Sequence, residues 1–493
     1  MTRSSKLLAV AASLAVLVLV GVSIFAIGQD ATSGDSSATA SAKASTSVTG
    51  PYRSRPDLNP PRMNIKKSLA KAGNGKIFVG SKVSGAAIYA KDGEPIWFLP
   101  SRSIDFRTQE YRGKPVLTWF QAPTKGSGLK KNTLIIANRN YKVIKKLYPG
   151  NGFTADSHEF KLTPRGTAYV TIYDTQRRDL SPVGGERNAA VSNSIAQEFD
   201  IRTGKVVWQW KSLDHVPIKD TYVDKLRRPG NPFDYFHINS ISDTPDGNVL
   251  ISGRGTNAVY KVNRKTGRIM WTLGGKSSDF KMSKRAAFHQ QHDGQLISGN
   301  KLSVFDNAAS PTTTKKWAKQ SRALVLKLNY KKKTAKLHRE YFNPAKPLAN
   351  QQANVQQLNS GNFFVGWGGV PLISEHLPGG KIVFDAELEG INSFYRAYRL
   401  PWSGKAPGKV AVVADKTAPG STRLWISWNG DSSVRDWKIL AGDSKASLEK
   451  VATRERAGFE TATTVQTNKP FVKVQGLNAS GKVIGRSALT VVE

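Results

Sequence analysis

The sequence predicts an all-β chain: a six-bladed β-propeller followed by a small C-terminal fibronectin type III-like β-sandwich, with an N-terminal transmembrane helix. Three observations predict it. Short strand-like runs separated by Gly, Asn-Gly and Asp-Gly turns fill residues 52–402, and no long amphipathic helix interrupts them. One hairpin pattern recurs six times. An uncharged stretch from Leu7 to Gly28 precedes everything else.

Arg3 and Lys6 lie before that stretch, so residues 1–6 read as a cytoplasmic n-region and residues 7–28 as a transmembrane anchor or signal segment. Its length exceeds the ~7–15 residues of a signal-peptide core and approaches the ~20 that span a bilayer. An uncleaved anchor is therefore expected, with cleavage after Ala26-Ile27-Gly28 as the alternative. The body then sits on the extracytoplasmic side of the cell membrane as a single-pass protein, or is secreted if the segment is removed. Residues 29–51 are rich in Ser, Thr and Ala, the composition of a flexible linker.

Residues 52–402 are read as the propeller. A turn followed by an aromatic strand recurs as KDGEPIWF at Lys91, RTGKVVWQW at Arg202 and KTGRIMWTL at Lys265, with weaker copies at Asn140, Asn329 and Pro378. These six turns, near positions 93, 141, 204, 267, 332 and 380, are 48 to 65 residues apart. Each interval holds four strands and their loops, the period of a propeller blade. A second hairpin alternates with the first: TPRGTAYVTIYD at Thr163, TPDGNVLISGR at Thr244, LNSGNFFVGWG at Leu358 and, more loosely, ISGNKLSVFDN at Ile297. Residues 403–493 change texture. LWISW, RDWKIL and FVKVQGL alternate as strands of a small sandwich.

Composition restricts the chemistry. The 73 Lys+Arg against 36 Asp+Glu give a net charge of +37, which points to anionic partners. Export makes nucleic acid an unexpected one. With no Cys, disulfides, thiolate nucleophiles and zinc-thiolate sites are excluded. Three of the seven His stand out. His158 in DSHEF, His237 in YFHINSI and His292 in FHQQHDGQ each precede a hairpin, at equivalent places in three successive repeats. Inner strands line a propeller's channel, so these residues are expected to converge near its axis. Asn239 shares a strand face with His237, and Arg254 closes the following hairpin. A His–Asn–Arg cluster with no carboxylate pair suits a tetrahedral oxyanion: Arg, Asn and His⁺ are donors to sulfuryl or phosphoryl oxygens, and a neutral imidazole can be the nucleophile. His215, His338 and His376 follow no repeat rule or fall at an outer turn, and His289 is ambiguous, a possible neighbour of His292.

At these residues the sequence resembles the arylsulfotransferase family, cofactor-independent aryl-sulfate sulfotransferases built on a six-bladed propeller. The resemblance is carried by DSHEFKLTPRGTAYVTIYD, by the block from FDYFHINSISDTPDGNVLISGRG to WTLGGKSSDF, by FHQQHDGQ with LSVFDNA, and by FDAELEGINSFYRAYRLPW. It implies that His292 is transiently sulfated, while His158, His237, Asn239 and Arg254 bind sulfuryl oxygens and assist the leaving and attacking phenols. It implies an aryl sulfate donor, a phenolic acceptor, and neither nucleotide nor metal. Two departures stand out: the small β domain is C-terminal rather than N-terminal, and the disulfide of some members is impossible.

Two other readings compete. One is a non-catalytic propeller that binds an anionic cell-envelope polymer, because Lys315–Arg339 holds ten Lys/Arg and no Asp or Glu. The other is a metal site from His158, His237, His289 and His292, which the neighbouring Arg254 disfavours.

Overall fold

The structure, a computed structural model, describes residues 52–124, 129–224 and 231–493. The expected anchor or signal segment and the linker therefore lie outside the described residues. Among those described, no helix is long and apolar enough to cross a membrane, and the helical elements are three short 3-10 turns.

Residues 62–400 form six separate antiparallel sheets, each of four consecutively hydrogen-bonded strands. Their first strands are Ala397–Leu400, Ser103–Tyr111, Phe160–Leu162, Ile238–Asp243, His292–Ser298 and Asn354–Gln357. Each first strand, or the strand paired to it, packs against that of the next sheet, and the succession closes on itself. The sheets therefore make a ring. Ala397–Leu400 closes it by joining Lys76–Ser81, Gly85–Tyr89 and Pro95–Leu99 from far earlier in the chain. Two sheets gain an outer fifth strand: Arg62–Ser68 beside Ile382–Glu389, and the short parallel Lys281–Met282 beside Thr334–Tyr341.

The recurring turns explain this order. Those near 93, 141, 204, 267, 332 and 380 each join the third and fourth strands of one sheet. Four of them carry a positive-φ Gly, at Gly93, Gly204, Gly267 and Gly380, because the tight reversal needs the left-handed region. The Pro-X-Gly-Asn type joins first and second strands, as at Leu162–Thr167, Asp243–Val249 and Gln357–Phe363. Between sheets, alternating side chains form apolar clusters such as Ile104, Phe120, Phe160, Val170 and Ile195, all nearly solvent-free.

Residues 410–491 make two further sheets around a single core containing Leu424, Ile426, Trp437, Val472 and Val474. One orders Ala411–Ala418, Ser421–Ser427 and Glu460–Gln466. The other is built on Asp436–Gly442 and Phe471–Leu477. This sandwich is docked on the ring by polar and aromatic contacts. Asn429 exchanges both amide bonds with the Phe98 backbone at 2.9 Å, and Tyr141 stacks on Trp97 while donating to the Gly430 carbonyl at 2.7 Å.

Candidate functional site

The three histidines enter the ring where their repeats predict. His158 stands two residues before, His237 directly before, and His292 at the start of the first strands of three consecutive sheets. The backbone there is bent: His237 and Asp293 hold positive φ of 52° and 57°, and the strand registers shift at Ile238/Ser240 and His292/Gln295. Such bulges re-aim a side chain from the sheet face toward the strand end. The rings meet edge to face, His158 to His237 with centroids 4.7 Å apart and His237 to His292 at 6.4 Å.

Each ring is held by a different partner. His158 Nδ1 lies 2.5 Å from Asp156 Oδ1, and His237 Nδ1 bonds Asp234. Burial alone would raise the Asp156 carboxyl, but the His158 imidazole and neighbouring N–H groups hold it down at about 2. Asp234 is likewise lowered, against burial, by His237, Arg254 and His158. Ionised carboxylates only accept, so both Nδ1 atoms carry the proton and each Nε2 faces away from its carboxylate. His292 is different. Its Nδ1 faces Asn307 Oδ1 at 2.8 Å, and the Asn307 amide donates to the Ala349 and Gln352 carbonyls, which fixes that oxygen as acceptor. His292 Nε2 accepts the Gln352 N–H at 3.2 Å. His292 is therefore also the Nδ1–H tautomer, with its lone pair on Nε2.

Arg254 supplies the local positive charge. It is 5 % exposed and lies at the end of Val249–Gly253, between Gly253 and Gly255. A Cβ at Gly255 would sit 2.2 Å from the Tyr235 carbonyl oxygen, so only glycine lets this turn close on the FDYFH segment. Burial first, and the Arg254 charge second, lower the pKa of His237 to about 4 and hold that of His292 well below the usual imidazole value. Both are neutral at pH 7.

Tyr173 and Tyr395 complete the walls, each ring 5.6–5.7 Å from His158. Burial pushes both phenols far up, so they stay protonated and donate to the Ile238 and His158 carbonyls at 2.8 Å.

Asn239, expected to bind the anion, is buried, and its amide donates to the Gln291 carbonyl at 2.7 Å, one residue before His292. It braces the His292 strand. Two carboxylates that the sequence reading did not place at the site, Asp156 and Asp234, each bond one of the three rings. The D-S-H and D-Y-F-H spacings carried that signal. A second acidic pair, Asp105 and Glu159, lies buried beneath with Arg107 and Arg396. His289 is not part of the cluster: it stacks on Trp317 at 5.0 Å, as His215 stacks on Trp210. Among the described residues no three His, Asp or Glu side chains are grouped to hold a metal ion.

Buried neutral imidazoles make stability depend on acid. His237, His289 and His376 are each lowered to about 4, chiefly by burial. Between an unfolded pKa of 6.5 and those values the unfolded chain binds protons that the folded one refuses. Stability is thus complete above pH 6.5 and falls as pH drops toward 4, by up to about 1.4 kcal/mol per pH unit per imidazole. A melting temperature that drops steadily from pH 6.5 to 4.5 is expected; an unchanged one would contradict these assignments.

The sequence profile of the arylsulfotransferase (ASST) family matches residues 107–389, more than half of the chain and all three histidines. Among solved structures, a protein of unknown function from Bacteroides caccae shares 13% identity over 66% of this chain and 98% of its own, with a TM-score of 0.40. Streptogramin B lyase shares 9% identity over 67% of this chain and 89% of its own, with a TM-score of 0.35. No curated protein matches the chain.

Proposed function

The chain belongs to the arylsulfotransferase family, and from that premise we propose that it moves a sulfuryl group from an aryl sulfate to a phenol through a sulfated His292. The ring of six sheets is read as a six-bladed propeller with the site at one mouth of its channel. Residues 7–28 would tether it to the membrane with the body outside the cytoplasm.

The observation that carries the mechanism is the tautomer state of three converging imidazoles beside one guanidinium. His292 presents a neutral Nε2 lone pair, the nucleophile that attack on sulfur requires. The Gln352 N–H holds that ring in place and yields as Nε2 turns its lone pair to sulfur. As the N–S bond forms, the S–O bond to the aryl group breaks and its electron pair stays on the departing oxygen. One of the Asp-bound imidazoles, His158 or His237, first charged with a proton from solvent, delivers it to that oxygen from Nε2. In the second half the acceptor phenol returns a proton to the same imidazole, its oxygen attacks sulfur, and the N–S bond breaks. Arg254 stabilises the sulfuryl oxygens while charge builds on them. Asn239 keeps the His292 strand in position. No step requires a nucleotide or a metal.

Exposure to an aryl sulfate without acceptor, followed by intact-mass and peptide-mass measurement, should show one added sulfuryl group on His292. Label on His158 or His237 instead, or no label and no transfer with any aryl sulfate, would overturn the assignment.

A further inference from the structure

The basic run Lys315–Arg339 is not one patch. Lys315 sits over Trp317 in the loop that follows Asn307, and Arg322 is neutralised by Asp306 and Glu340. Lys316 and Lys319 share that loop, while Lys327, Lys331, Lys332, Lys333, Lys336 and Arg339 gather elsewhere, on the outer hairpin Arg322–Asn329/Thr334–Tyr341. There Lys301 lies opposite Lys327, and Lys327 opposite Lys336, a row of like charges across three adjacent strands about 4.8 Å apart. Like charges in direct register destabilise a sheet. Among the described residues no ion pair relieves this row. Asp246, whose charge acts on Tyr330 in the adjoining turn, is itself bound to Lys261 at 2.5 Å.

A cleft of about 550 Å³ opens beside the row, lined by Lys327, Lys331, Lys332, Lys336, Asn329 and Tyr330. Its turn is anchored. Tyr330 packs against Trp271 and Phe280, Asn329 Oδ1 accepts the Lys332 N–H at 2.8 Å, and the Lys333 carbonyl accepts the Lys281 N–H at 2.8 Å. A second cleft of about 240 Å³ is lined by Lys301, the strand partner of Lys327, with His338 and Arg339. His338, which faces Lys301, Lys327 and Arg339, has its pKa lowered by slight burial and then by those three charges.

We propose that this pair of clefts is a second anion-binding site, separate from the histidine cluster, that takes a linear polymer of closely spaced phosphate groups. Lysines in direct register on strands about 4.8 Å apart concentrate positive charge, which calls for a densely charged partner. Lysine ammoniums act on phosphate as point charges without demanding one orientation, so a flexible chain fits better than a planar carboxylate ligand. The inference does not rest on the sulfuryl-transfer reading.

The test is binding of long-chain inorganic polyphosphate to the full chain by anisotropy across a salt series, with heparin and polyglutamate as comparison arms. The triple variant Lys327→Gln/Lys331→Gln/Lys336→Gln changes only exposed side chains. It should weaken polyphosphate binding at least about tenfold and flatten the log–log salt slope by about 2, at roughly 0.7 for each lysine–phosphate pair removed. A control removing the exposed Lys142, Lys146 and Lys205 has the same net charge and should bind nearly as wild type. His292→Asn should bind unchanged, which separates this site from catalysis. Equal weakening in the control, or none in the triple variant, overturns the site. Heparin or polyglutamate binding as tight as polyphosphate overturns the phosphate assignment.

Discussion

Replacing His292 by Asn is expected to lower sulfuryl transfer by about 10⁴-fold or more, the scale seen when a covalent nucleophile is removed. The loss should fall on kcat, with the burst of first product gone, because no N–S bond can form. Asp234→Asn should act differently. It leaves His292 intact but removes the acceptor that fixes the proton on His237 Nδ1, so the wrong tautomer becomes accessible. A loss of about 10²–10³-fold follows, within the range of general acid–base contributions. Adding Asp234→Asn to His292→Asn should cost almost nothing further, since the two act in one step and their effects do not add. If His292→Asn retained a tenth of the activity while His237→Asn retained none, the nucleophile would be His237. Circular dichroism and melting temperature report whether a loss is chemical, because His292 is only 1 % exposed and its replacement disturbs packing as well.

Much of this arrangement could be read from the chain because repeats convert spacing into position. The six turns differ in sequence but share one job, closing the third strand onto the fourth, and that job needs few residue types. The histidines were legible for the same reason: each stands at one phase of its repeat. The partners were not. Asn307 and Gln352 reach His292 from 15 and 60 residues away, the first from the end of the strand paired to His292's own and the second from the entry to the next sheet, so only the pairing and packing of the sheets bring them there. Tyr395 touches His158 across 237 residues because the last strand completes the first sheet. Asp156 and Asp234, by contrast, lie two and three residues from their histidines and were within reach of a sequence reading attentive to D-x-H spacings. The basic run does not act as a unit because a one-dimensional count cannot see that its loop and its hairpin lie at different places on the ring.

Arg396→Ala is expected to be the most destabilising single change in the ring, by about 3–5 kcal/mol, the cost of leaving buried charge uncompensated. The Arg396 side chain is fully buried. Its Nη1 meets Asp105 at 3.4 Å and Glu159 at 3.3 Å, and its Nη2 donates to the Asn239 carbonyl at 2.7 Å. Burial drives the Asp105 carboxyl up; it would drive Glu159 up too, but Arg396 and Arg107 hold Glu159 down. Without Arg396 two carboxylates face one guanidinium, Arg107, and one of them must take a proton or admit water. The destabilisation should therefore shrink as pH falls and the carboxylates protonate. Arg396→Lys keeps the charge but not the fork that spans Glu159 and the Asn239 carbonyl, so it should fall between wild type and alanine. Pairing Arg396→Met with Glu159→Gln should recover part of the loss, because removing both partners costs less than removing one. Stability unchanged within about 1 kcal/mol for Arg396→Ala would mean that the cluster is hydrated rather than dry. The same substitution should slow sulfuryl transfer, since the Arg396 guanidinium lies 5.0 Å from the Tyr395 ring that walls His158. The buried charges below and the imidazoles above are thus one structure, and loosening the lower layer moves the upper.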